Sequence, residues 1–200
     1  MHALIDNNPA IWRARDALQR RVPAQPTRHA ALDAVLPGGG WPVGMLSEIL
    51  APQLGFGEFA LLAPMLAERS RQGHRVVFVH PPCPPYAPTL AQHGIALDQV
   101  LLIDVAQERD ALWASEQILA SRTPAAVLVW VDAANERALR RLALAAEGGQ
   151  SLAIAFRPLS AASTISPAAL RVCLDAPDAP LRIIKARGLN CTLAQPLLVP

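Results

Sequence analysis

The run AAVLVWV, Ala125–Val131, contains no charged, hydroxyl or amide side chain. A strand with one face in water alternates apolar and polar residues. An unbroken apolar run of this length, bounded by turn signals, reads instead as a strand covered on both faces. The runs RVVFV (Arg75–Val79) and SLAIAF, together with Leu46–Leu50, have the same character. Between them lie stretches with helical spacing. Phe59–Gln72 ends at Gly73. Glu108–Ser121 places Leu112, Ser115, Ile118 and Leu119 on one side. Asn135–Glu147 places Leu139, Leu142, Ala143 and Ala146 inward and Arg137, Arg140 and Arg141 outward. A short helix ending at Gly94, a strand at Val100–Val105 and later strands in LRVCLDA and LRIIKAR complete the pattern. Strands alternating with helices predict an α/β fold, a mostly parallel sheet flanked by helices.

The chain has 200 residues, enough for one domain with a short extra arm. Residues 9–22, PAIWRARDALQRRV, carry Ile11, Ala14, Leu18 and Val22 at near-helical spacing. This predicts an amphipathic N-terminal helix. With the linker PAQPTR it forms an arm over 1–28, ahead of a core over 29–190 and an apolar tail over 191–200. The net charge of +2 does not call for a nucleic-acid partner. Cys83, Cys173 and Cys191 are far apart and odd in number, so neither a zinc site nor a disulfide framework is indicated. No basic stretch followed by an apolar one marks a secretory signal, and no apolar run approaches the roughly 20 residues of a membrane span. A cytoplasmic protein without metal or cofactor is expected.

The stretch APQLGFGEFALL, Ala51–Leu62, follows a strand and opens a helix, which is the layout of a phosphate-binding loop. Such a loop needs a lysine for the phosphates and a hydroxyl for magnesium. After Gly55 and Gly57 stand Glu58 and Phe59, a carboxylate and an oxygen-free ring. Lys185 is the only lysine among 18 basic residues, and it lies far along the chain in LRIIKAR. The spacing Gly55-x-Gly57-x-x-Ala60 also fits a dinucleotide fingerprint. The acid that would hold the ribose is missing, because the next strand runs into His80 and prolines. The remaining alternative is a tight turn that still starts a helix. The residues favour it, so no catalytic residue is assigned and no enzyme is expected.

The segment ALDAVLPGGGWPVGMLSEILAPQLGFGE resembles the opening of the RecA core, through Leu32-Asp33, Gly39-Gly40-Trp41-Pro42-Val43-Gly44 and Glu48-Ile49. YAPTLAQHGIALDQVLLID continues the likeness. Departures from the family coincide with its catalytic parts: the glycine loop, the glutamate after the second strand (here His80-Pro81-Pro82), and the magnesium aspartate, for which Asp132 stands in uncertain register with Trp130 and Val131. Nearly the whole chain is similar to the ImuA proteins, which include members labelled SulA-like. LPGGGWPVGMLSEIL, GFGE, PPYAP and RALRRLALAA carry that resemblance. It implies a non-catalytic adaptor in SOS-induced translesion synthesis. The implied partners are an ImuB-like polymerase homologue, an error-prone DNA polymerase and RecA, with inhibition of FtsZ as the alternative.

Partner-binding candidates are Trp12, Arg15 and Leu18 in the arm, Trp41, and the helix arginines Arg137, Arg140 and Arg141. RecA joins protomers through an N-terminal helix, so the resemblance also implies self-association through the arm. The alternative is an arm folded back on its own core. Ser160–Pro167 corresponds loosely to a DNA-contacting loop of RecA. It carries no charge, which argues against strong DNA binding. His80 and Cys83 read as a structural loop rather than a nucleophile pair, since no third group orients them.

Overall fold

The computed structural model describes residues 23–53, 57–176, 181–187 and a strand at 193–197. An eight-stranded sheet forms its centre. The strands are β3 (Leu46–Ala51), β4 (Arg75–Val79), β5 (Val100–Ile103), β6 (Pro124–Trp130), β7 (Leu152–Pro158), β8 (Leu170–Cys173), β9 (Leu181–Ala186) and β10 (Leu193–Leu197), in the order β10-β9-β8-β3-β7-β6-β4-β5. Pairings from β5 through β8 are parallel, and β9 runs antiparallel to both of its neighbours. The expected α/β sheet of RecA-like type is therefore present. A two-residue ladder, β1 (Ala24–Gln25) with β2 (Trp41–Pro42), ties the segment before the core to the glycine turn. β10 falls within the segment read as a tail.

Period-two alternation in the strands divides the core between two faces. On one side Ile49, Phe78, Leu128, Ile154 and Val172 meet Leu61, Leu62, Met65 and Leu66 of α2 (Glu58–Arg71), with α1 (Ala30–Val35) and α3 (Ala87–Gln92) alongside. On the other, Val77, Val79, Val127, Val129 and Ala155 meet α4 (Glu108–Ala120) and α5 (Glu136–Gly149). In α4, Ser115 and Leu119 are buried, while Leu112 and Ile118 are partly buried. In α5, Leu139, Leu142 and Ala146 point inward, and the Asn135 side chain accepts the Ala138 N–H at 3.0 Å, satisfying one of the helix's orphan donors. Among the described residues no helix is long and apolar enough to cross a membrane.

Candidate functional site

Parallel strands joined by right-handed crossovers send the N-termini of their helices to the carboxyl end of the sheet, where α/β proteins place ligands. A cleft of about 460 Å³ opens there. It is floored by the ends of β3, β6 and β7 and rimmed by Glu58, His80, Glu108, Asp132 and Arg157. Beside it runs an apolar groove of about 290 Å³ between the start of α2 and the proline loop after β4. The two share Glu58, Pro82 and Trp130.

The glycine turn keeps its backbone geometry. Gly57 caps α2 in the left-handed conformation (φ 85°), and the Leu61 N–H donates to its carbonyl at 3.1 Å. Gly55 lies outside the described residues. Glu58 opens the helix and is 8% exposed. A carboxylate in the first turn offsets the partial positive charge that would attract a phosphate. Glu108 does the same at the start of α4, and its Oε2 also accepts the backbone N–H groups of Asp132 and Ala133 at 2.8 and 3.0 Å. Phe59, at the position of the magnesium ligand, turns away from the cleft. Its ring lies 6.2 Å from Phe78 and 5.7 Å from His93.

The ends of the next strands are altered too. His80, where the resemblance expects a glutamate, has φ 53°. Its N–H donates to Ile103 and its Nδ1 to the Val105 carbonyl at 2.8 Å, so the ring fastens the loop after β5. Cys83 is exposed, and no contact among the described residues joins it to His80. β6 ends at Trp130, not at an aspartate. The indole stacks between Phe78 (centroids 6.1 Å apart, 14° between planes) and Phe156 (4.4 Å, 16°). Asp132 follows two residues later on the exposed rim. The cleft thus presents three carboxylates, an aromatic floor and one guanidinium.

That guanidinium is already engaged. Glu48 on β3 is fully buried, and its Oε1 takes Arg157 Nη1 at 3.3 Å and Ser166 Oγ at 2.7 Å. Its Oε2 takes Arg171 Nε at 2.5 Å. Arg157 Nη2 also donates to the Ala134 carbonyl at 2.9 Å. Arg171 reaches the carbonyls of Ala161, Ala162 and Thr164 at 2.7, 3.3 and 3.1 Å. Lys185, the lone lysine, donates to the Ser166 carbonyl at 2.7 Å, and burial, then the neighbouring Arg171, holds its pKa below the ordinary lysine value. The Ser160–Pro167 loop is therefore pinned to the sheet, while Ser160, Ser163, Thr164 and Ile165 stay exposed, Ile165 at 78%. Sequence reasoning used Glu48 only as part of a motif and missed this cluster. Its signal was a charge set in each of three apolar strand segments.

The surface candidates fare differently. Trp41 is wholly buried and offers no contact surface; it is a lid over the core, not a partner anchor. Arg140 pairs with Glu136 one turn away, and Arg141 bridges to Glu116 on α4. Arg137 is exposed and makes no ion pair among the described residues. Trp12, Arg15 and Leu18 lie outside the described residues. Among those residues no group of three or more His, Cys, Asp or Glu is placed to hold a metal ion.

No protein-family model matches the chain. A crystal structure of SulA from Pseudomonas aeruginosa overlays 56% of this chain and 97% of its own at 24% identity, with a TM-score of 0.48. Two RecA sequences of Bacillus licheniformis match at 29% identity over 126 residues, which is 62% of this chain. The chain spans about a third (34%) of the length of those relatives. It is similar in sequence to part of RecA and carries a RecA-like sheet, with Glu58, His80 and Trp130 lining the cleft.

Proposed function

We propose that this chain is a RecA-like adaptor that binds proteins rather than turning over ATP. It acts in SOS-induced, error-prone translesion synthesis of the ImuA type. Its partners in this reading are an ImuB-like polymerase homologue, an error-prone polymerase and RecA. One observation carries the proposal: similarity to RecA coincides with a cleft whose phosphate end is filled by the carboxylates of Glu58 and Glu108 and whose floor is an aromatic stack. Anions gain nothing there, since each helix N-terminus already has its own counter-charge. A sheet kept without that chemistry serves as a surface.

Two measurements test the reading. A ligand that binds only the folded state must stabilise it, by about 2.7 kcal/mol at a hundredfold excess over Kd. Millimolar ATP with magnesium is expected to move the melting temperature by less than about 1 °C. A rise of about 5 °C or more, the size expected of saturating binding in a chain of this length, would restore a nucleotide site and overturn the non-enzymatic part. The second is affinity capture of the tagged chain from DNA-damaged cells, with mass spectrometry of what is bound. A polymerase homologue together with RecA is the expected result. FtsZ without either would replace translesion synthesis with division inhibition on the same scaffold.

A further inference from the structure

We propose that the amino end of the sheet carries a phosphate-binding site built from Arg69, His74 and Arg122. Arg69 stands in the last turn of α2, His74 in the turn before β4, and Arg122 in the turn between α4 and β6. All three line one pocket of about 440 Å³, closed on another side by the end of α5 at Gly148–Gln150. β4 and β6 pair in parallel from Arg75 opposite Pro124, which is what brings the two turns together. The cleft with its carboxylates lies at the other end of the same strands.

Three observations point to phosphate as the ligand. First, the charge in the pocket is uncompensated. Among the described residues that line it none is acidic, and neither Arg69 nor Arg122 makes an ion pair with another described residue. Glu68, next to Arg69, gives both of its carboxylate oxygens to Arg28. Second, Arg69 is partly desolvated and incompletely bonded. Its Nη1 donates to Gln72 Oε1 at 3.3 Å, while its Nε is buried with no acceptor among the described residues. Burial lowers the pKa of Arg69, and burial followed by the Arg69 charge lowers that of His74. Cations grouped in this way gain most from an anion that bonds several of them at once. The helix ends do not supply that partner. Their last carbonyls accept N–H groups from their own cap turns, from Gln72, Gly73 and His74 on α2, from Ser121 on α4, and from Gln150 and Ser151 on α5. Third, the positive surface continues past the pocket. Arg71 and Arg75 are exposed on either side of His74 and also make no ion pair among the described residues. A row of this kind suits successive phosphates of a nucleic-acid backbone, which bind through charge and need no contact to a base. The site does not rest on the adaptor reading and stands or falls without it.

Fluorescence anisotropy of a labelled oligothymidylate of about 12 nucleotides tests the site on the full chain at about 50 mM salt. Arg69→Gln and Arg122→Gln should each weaken binding about tenfold, the loss of one charge-assisted contact. Each should also lower the slope of log K against log salt by about 0.7. Arg122 is exposed, so its variant keeps the fold even if Arg69→Gln does not. Arg137→Gln removes the same charge from α5, outside the pocket, and should change neither quantity. Inorganic phosphate, followed by the NMR shift of the His74 ring, separates the two sources of the ligand. A phosphate shift lost in Arg122→Gln, with the oligonucleotide bound no tighter than phosphate, would keep the site and assign it to a small free phosphate. Oligonucleotide binding much tighter than that of phosphate would assign it to a nucleic-acid backbone. Absence of binding by both, indifference to both pocket variants, or an equal loss in Arg137→Gln would each overturn the site. Polyglutamate bound as tightly as the oligonucleotide would overturn phosphate as its ligand.

Discussion

Replacing Glu48 with alanine is expected to cost about 3–5 kcal/mol of stability, since removing one member of a buried ion cluster leaves the others charged and unpaired. Two guanidiniums depend on this carboxylate, and both side chains are almost fully buried. Arg157 would keep only the Ala134 carbonyl, while Arg171 would keep three carbonyls of the 161–164 turn. The effect should therefore be uneven. Ser166 loses the acceptor of its hydroxyl, and the loop that Arg171 pins loses the charge that aims it. Urea denaturation should show the drop in midpoint, and hydrogen exchange should show the amides of 161–168 losing protection before those of β4 and β6. Glu48→Gln should fall between wild type and alanine, because the amide keeps the shape and one acceptor but not the charge. A loss below about 1 kcal/mol for alanine would mean the cluster is solvated or repacks easily, contrary to its burial.

The parts of the fold legible in the sequence are those whose signal is local. β4 spans the run RVVFV, and α5 begins where Asn135 can cap it. The apolar runs of β6 and β7 fall within a residue or two of where buried parallel strands stand. Short pairings were not legible. β1 and β2 have two residues each, too few to show a period, and they exist because Gly40 lets the chain pass close to Gln25. β10 has no pattern of its own and becomes a strand only because β9 offers an open edge. The glycine turn and the helix that it starts were readable, since turn and helix are neighbours in sequence. The charged cluster was not, because Glu48 and its two arginines are 109 and 123 residues apart. Sheet order alone brings them together. The same holds for the aromatic stack: Trp130 looked like one more apolar residue at a strand end until β7 placed Phe156 opposite it.

Trp130→Ala is expected to destabilise the protein by about 3 kcal/mol, near the low end for truncating a large aromatic, because one side of the indole faces the cleft. The loss has two parts. The ring gives up stacked contacts with both Phe78 and Phe156, each aromatic pair contributing roughly 0.5–1.5 kcal/mol beyond its buried area. It also leaves a void beneath the shared wall of cleft and groove, which the stiff strands on either side cannot close. The substitution further separates two reasons why ATP should not bind. If the ring were the obstacle, removing it would make room for a nucleotide and a thermal shift with ATP and magnesium would appear. If charge is the obstacle, Glu58 and Glu108 still neutralise their helix ends, and the enlarged cleft should stay as indifferent to ATP as the parent. The second outcome is expected, because phosphate binding at a helix start works through positive potential and the start of α2 carries a carboxylate. A clear ATP-dependent rise in the variant's melting temperature would place the block in the aromatic floor and remove Glu58 from the explanation.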